Sequence, residues 1–159
     1  MNAPVRAYVG LGANLGDAAG TLHTVLRELA ATPGIQGCQA SGFYRTAPVD
    51  AGGPDFINAV AALDTTLAPL ALLDVLQALE ARHGRQRPYR NAPRTLDLDL
   101  LMHGDTAMQS ERLTLPHPRM HQRAFVLAPL QELTPALVLP QGPLPTLLAA
   151  LTDQPIERL

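Results

Sequence analysis

The chain has 159 residues, 47% hydrophobic and 16% charged, with a formal net charge of −2. This suits one folded domain over residues 1–159 with a real core and argues against a disordered segment or a nonspecific nucleic-acid binder. The one cysteine, Cys38, excludes an internal disulfide and a cysteine-built zinc site; with no cationic leader ahead of an apolar run, and no apolar run near the roughly 20 residues that span a bilayer, the expected address is cytoplasmic.

Arg6 to Ala13 reads as a first strand, with Tyr8, Val9 and Leu11 as its apolar substance. It runs into Gly10-Leu-Gly-Ala-Asn-Leu-Gly16. A dinucleotide-binding fingerprint would place its last glycine one residue earlier and an acidic residue after a second strand, whereas Glu28 falls inside a helical pattern. Glycines easing a strand-to-helix turn are the better reading. Asp17 to Thr32 is amphipathic, with Leu22, Val25, Leu26 and Leu29 on one stripe, and Pro33-Gly34 ends it. Ile35 to Thr46 reads as a second strand, closed by a loop to Pro54. Phe56 to Thr65 is a third strand. It is apolar on most of both faces and so expected to be central, with Asn58 as a polar intruder. A buried asparagine is a structural hydrogen-bonder or a ligand reader, and both stay open at this point.

Ala68 to His83 forms a second helix on Leu72, Leu73, Leu76 and Leu79, with Gly84 as its stop. An arginine-rich loop from Arg85 to Arg94 follows, then a fourth strand, Thr95 to His103. Leu115-Pro-His-Pro118 is a rigid turn, Gln122 to Leu133 a third helix, Leu137 to Leu139 an edge strand, and Leu144 to Leu151 a last short helix. The order strand-helix-strand-strand-helix-strand predicts a ferredoxin-like α+β fold, an antiparallel sheet flanked by helices in α/β/α layers.

Within Arg94-Thr-Leu-Asp-Leu-Asp-Leu-Leu101, strand alternation points Asp97 and Asp99 the same way, with Cα atoms roughly 6.6 Å apart. Leu96, Leu98 and Leu100 point into the core. A wet edge strand would also alternate, but aspartate is a poor strand former, and adjacent carboxylates repel unless a cation sits between them. Mg²⁺ takes carboxylate oxygens and leaves room for phosphate and water; two such ions about 3.5–4 Å apart could share the pair. All 12 cationic residues are arginines, eight of them between Arg82 and Arg123. A GC-rich genome explains the missing lysine but not the clustering. Guanidinium forks suit phosphate oxygens, and the lack of lysine excludes a lysine-dependent P-loop and Schiff-base chemistry. Acidic site plus basic loop is the charge pattern of phosphoryl transfer. His117 reads as a phosphate donor or a turn residue.

The blocks Tyr8 to Asp17, Phe43-Tyr-Arg-Thr-Ala-Pro48, Asp55-Phe-Ile-Asn-Ala59, Gly84-Arg-Gln-Arg87, Pro93-Arg-Thr-Leu-Asp-Leu-Asp99 and Leu115-Pro-His-Pro118 resemble, in order, those of the 6-hydroxymethyl-7,8-dihydropterin pyrophosphokinases. The resemblance runs from Tyr8 to Pro140. It implies transfer of pyrophosphate from ATP to the hydroxymethyl group of the pterin, releasing AMP, in folate biosynthesis. Asp97 and Asp99 match the ligands of two Mg²⁺ ions, and Arg85 and Arg94 match catalytic arginines on mobile loops. Gln77, Glu80, Arg87, Arg112, Thr114, His117 and Arg123 match positions on the ATP side. Phe56 and Phe125 match the rings that sandwich the pterin, Asn58 the amide that reads its pyrimidine edge, and Thr46, Ala47 and Val49 the loop beside it. The implied partners are small molecules, with no nucleic acid or membrane, and the implied state is a monomer. Ala13 stands where many members carry serine, and Asn91-Ala92 stands where some members carry Trp-Gly, which removes an aromatic lid unless Tyr89 supplies one. The competing readings are another two-metal phosphoryl or nucleotidyl transferase on the same fold, and a noncatalytic ligand-binding module.

Overall fold

The structure, a computed structural model, describes residues 3–14, 16–47, 55–83 and 96–159. Its first half runs β1 (Val5–Ala13), α1 (Ala18–Ala30), β2 (Ile35–Ala40), β3 (Tyr44–Thr46), β4 (Phe56–Thr65), α2 (Pro69–Arg82) and β5 (Asp97–His103). Two short strands, β6 (Met108–Gln109) and β7 (Thr114–Leu115), form a hairpin ahead of a 3₁₀ turn, Met120–Gln122, and α3 (Ala124–Leu133). A second hairpin, β8 (Val138–Leu139) with β9 (Gly142–Pro143), leads to α4 (Leu144–Ala149) and a final strand, β10 (Glu157–Arg158).

The main sheet has the order β10-β3-β4-β1-β5, with β2 also on β4, and every pairing is antiparallel. On one face α1 and α2 bury Leu22, Val25, Leu29, Leu72 and Leu76 against Val9, Leu11, Ala61 and Leu63. On the other, α3 and α4 bury Leu127, Leu130 and Leu144 against Tyr8, Val60 and Ala62. The expected α/β/α layers and a two-sided central strand β4 are both present. Each local start is chemical: Asp17 accepts the Gly20 N–H at 3.0 Å and so caps α1, while Gly34, at φ +91°, makes the turn into β2.

Three expectations are corrected. The second strand is two strands, because at Ser41 the side chain replaces one half of the ladder: the Ser41 N–H still donates to the Val60 carbonyl at 2.9 Å, but the return bond goes to the hydroxyl. Ser41 Oγ accepts the Val60 N–H at 3.0 Å, and the next N–H, of Gly42, donates to Glu132 at 2.8 Å. The third helix begins at Ala124, since Arg123 is extended (φ −124°, ψ 109°) between the 3₁₀ turn and α3. The segment Leu137 to Leu139 joins its own hairpin, not the edge of the main sheet; that edge is taken by β10, which pairs with β3.

Candidate active site

Strand β5 builds the site. Leu96, Leu98 and Leu100 are buried in the core under α1 and α2, each contributing about 1.5–3 kcal/mol by burial. A one-residue slip would bury Asp97 and Asp99 instead and expose the three leucines, so the register is strongly specified. Beyond the pair the strand bulges: Val9 faces Leu100 but Tyr8 faces Met102, leaving Leu101 between them to fill the α3-side core.

Register also aligns the partners. Asp97 lies beside Gly12, and Gly12 beside Asn58; Asp99 lies beside Gly10, and Gly10 beside Val60. Two glycines thus leave the β1 row without side chains between the carboxylates and β4. A cleft of about 790 Å³ opens over this floor. Its walls include Asp97, Asp99, Asn58, Phe56, Phe125 and Arg123, with Thr46 and Ala47 at one end. Asn58 is 4% exposed and donates from Nδ2 to Thr46 Oγ1 at 2.9 Å. That bond sets the amide orientation and directs Oδ1 towards Gly12, where a Cβ would stand only 3.2 Å away. A shallower depression beside α1, lined by Asp17, Thr21, His23, Arg27 and His83, carries none of the candidate residues.

Positive charge enters from the start of α3. Arg123 Nη1 stands 3.8 Å from Asp99 Oδ2, and its guanidinium lies 5.6 Å from the centre of the Phe125 ring. Arg119 and Gln122 line the same wall. Burial pushes the His117 imidazole below its ordinary value; the Asp99 carboxylate pulls the other way, and Arg123 and Arg119 reinforce the depression. His117 Nδ1 accepts the Arg119 N–H at 3.1 Å. A neutral ring therefore carries its proton on Nε2, which leaves that edge a donor.

The remaining candidates gather around the outer side of β5. Glu80 is 6% exposed and accepts the Leu98 N–H at 2.9 Å, so α2 satisfies a donor on the free edge of the sheet. Arg112 donates to Gln77 Oε1 at 3.1 Å and to Asp74 Oδ1 at 2.6 Å. Thr114 sits in β7, which packs beside β5. Gln77, Glu80, Arg112, Thr114 and His117 are not among the residues lining the cleft. Val49, Arg85, Arg87 and Arg94 lie outside the described residues.

The family model for 7,8-dihydro-6-hydroxymethylpterin-pyrophosphokinase (HPPK) matches residues 8–135. The chain belongs to the HPPK family. Among relatives, the 2-amino-4-hydroxy-6-hydroxymethyldihydropteridine pyrophosphokinase of Pseudomonas aeruginosa is 47% identical over 156 residues, covering 97% of this chain and 96% of that protein. The enzyme of the same name from Methylorubrum extorquens is 44% identical over 155 residues, covering 97% and 98%. A Plasmodium falciparum HPPK-DHPS crystal structure superposes with a TM-score of 0.75 over 96% of this chain; at 15% identity, and with 46% of that chain covered, it supports the fold alone.

Within this HPPK chain the described candidates divide into a cleft group (Thr46, Ala47, Phe56, Asn58, Asp97, Asp99, Arg123, Phe125) and an edge group around α2 and β7. Sequence reasoning missed Gln122, Asp153, Gln154 and Pro155, which also line the cleft, and Asp74, which holds Arg112. Arg119 was visible as one of the clustered arginines. Asp74 lies one helical turn before Gln77, a spacing that could have marked it as a neighbour. No local signal marked Gln154.

Proposed function

We propose that the cleft over Gly10 and Gly12 takes the pterin between Phe56 and Phe125, with its hydroxymethyl end towards Asp97 and Asp99. As an HPPK, the chain transfers pyrophosphate from ATP to 6-hydroxymethyl-7,8-dihydropterin in folate biosynthesis. The observation that carries the site assignment is the meeting, in one cleft, of paired carboxylates with two aromatic rings and a buried amide. Flat heterocycles stack on aromatic faces, and the Asn58 amide presents hydrogen-bonding groups suited to a pyrimidine edge.

The donor set at Asp97 and Asp99 fits Mg²⁺: hard carboxylate oxygens from two residues, with the remaining positions left to phosphate and water. Among the described residues no cluster of three or more His, Cys, Asp or Glu side chains could hold a metal ion, so the assignment rests on the chemistry of this pair with phosphate. Bound there, two Mg²⁺ would neutralise charge on the triphosphate. The reaction forms a bond from the hydroxymethyl oxygen to the β-phosphorus of ATP and breaks that phosphorus's bond to the α–β bridging oxygen, which leaves with AMP. The hydroxyl proton passes to solvent. Arg123 balances charge beside Asp99, and the neutral His117 offers an Nε2 proton to a phosphate oxygen. By the family resemblance, Arg85 and Arg94 are assigned to the transferring group, and Arg87, Arg112, Thr114, Gln77 and Glu80 to the ATP side. Positioning supplies most of the catalysis.

No helix among the described residues is long and apolar enough to cross a membrane. The fuller reading is a cytoplasmic monomer of one domain, acting on small molecules and not on nucleic acid or membrane. Incubation with ATP, Mg²⁺ and hydroxymethyl-dihydropterin tests the function: the expected products are AMP and the pterin diphosphate in equal amounts. ADP, free phosphate or no turnover would refute it.

A further inference from the structure

The family match ends at residue 135, yet Asp153, Gln154 and Pro155 help to line the cleft. Gln154 is tied to the α3 wall in a particular way. The first N–H groups of a helix need outside acceptors, and the residue ahead of α3 is Arg123, whose side chain only donates and makes no cap. Gln154 supplies the missing group. Its Oε1 accepts the Ala124 N–H at 2.9 Å, and its Nε2 donates to the Gln122 carbonyl at 2.9 Å. Both amide ends are used, so the orientation of the side chain is fixed.

The two bonds bracket one residue. Gln122 and Ala124 flank Arg123, whose extended backbone interrupts the passage from 3₁₀ turn to helix. That backbone aims the guanidinium at Asp99 and over Phe125. Gln154 is anchored in turn: its N–H donates to the Leu151 carbonyl at 3.1 Å, and the chain beyond it docks on the sheet as β10. The Leu159 N–H reaches the Phe43 carbonyl at 2.9 Å. We propose that Gln154 is a positioning residue of the active site, a clamp from the C-terminal tail that holds Arg123 in its working direction. The proposal rests on the reading of Arg123 as a phosphate-side residue.

A double-mutant cycle tests it. The kcat/KM and the affinity for a nonhydrolysable ATP analogue are measured for the wild type, Gln154→Ala, Arg123→Ala and the double variant, with thermal unfolding of each. Loss of a cap and a bracing bond predicts about a tenfold fall for Gln154→Ala in the wild-type background but less than about twofold once Arg123 is already alanine. Gln154→Glu keeps the acceptor for Ala124 and loses the donor to Gln122; a loss between those of wild type and alanine is expected, and this variant carries the test if alanine does not fold. Equal losses in both backgrounds, or no loss at all, would overturn the clamp while leaving the activity intact. A wild-type protein that releases no AMP would overturn the reading of the site and the clamp with it.

Discussion

Gly12→Ala is predicted to weaken pterin binding while leaving the fold intact or slightly firmer. Glycine inside a strand costs about 0.5–1 kcal/mol relative to alanine, so on backbone grounds alone the substitution should stabilise. The added Cβ, however, would stand 3.2 Å from Asn58 Oδ1, closer than most real contacts of a methyl carbon. Asn58 has little freedom to retreat: it is buried, and its Nδ2 is held by Thr46 Oγ1 at 2.9 Å. The amide must turn or shift by a few tenths of an ångström, and misaligning one or two ligand hydrogen bonds costs about 1–1.5 kcal/mol. That corresponds to roughly a tenfold rise in Kd. Fluorescence titration with the pterin reads the affinity, and calorimetry reads Tm. An unchanged pterin Kd together with a raised Tm would refute the argument, since it would mean that the amide does not read the ligand.

If Asp99 holds Mg²⁺ as proposed, Asp99→Asn should lower kcat/KM by about a hundredfold or more, because it removes a ligand to an ion that acts mainly on the developing charge. The partly exposed Arg123–Asp99 pair at 3.8 Å itself contributes about 1 kcal/mol or less to stability; urea unfolding beside steady-state kinetics separates loss of turnover from loss of stability. Glu80→Ala should cost about 1–3 kcal/mol in urea unfolding by stripping the Leu98 N–H of its acceptor, and Glu80→Gln, which keeps an acceptor, should recover much of it. Glu132 has its carboxyl held below the ordinary range, burial opposing and the Tyr44 hydroxyl, Gly42 N–H and Arg158 together prevailing. A depressed folded-state value means that this contribution to stability is present above about pH 4.5 and is lost as pH falls through the folded value. Acid titration of Glu132→Gln should therefore show a shallower loss below that pH than wild type, and parallel curves would contradict it.

The alternation in Leu96 to Leu100 was readable because it is local: period two puts leucines on one face and aspartates on the other whatever the rest of the chain does. The same holds for α1, α2 and the two-sided β4. The break at Ser41 was not readable, because a serine becomes a substitute for a strand carbonyl only when Val60 stands opposite it. The start of α3 was misplaced for a similar reason. Periodicity continues smoothly through Gln122 and Arg123, and the interruption is stabilised by Gln154, some 30 positions away in sequence. In the site, the aspartates stood out by residue type and spacing, and the rings and the amide through resemblance to a family. The tail residues belong to neither class. Gln154 joins the cleft wall through bonds to Gln122 and Ala124, contacts between segments far apart in sequence.

Strand β5 explains why one short segment serves two layers at once. Its odd residues Asp97 and Asp99 face the cleft; Leu98 and Leu100, with Leu96 just ahead of the strand, are buried in the core beneath α1 and α2. Between the aspartates, the Leu98 N–H is received by Glu80, so the spacing of the carboxylates is fixed from the opposite layer of the molecule. Two aspartates side by side on one strand face repel one another. Arg123 answers part of that repulsion at Asp99, at 3.8 Å. A divalent cation bridging to phosphate would relieve more of it. On the proposed reading, Mg²⁺ and the ATP triphosphate would be mutually reinforcing ligands of this strand, each supplying charge that the other needs there.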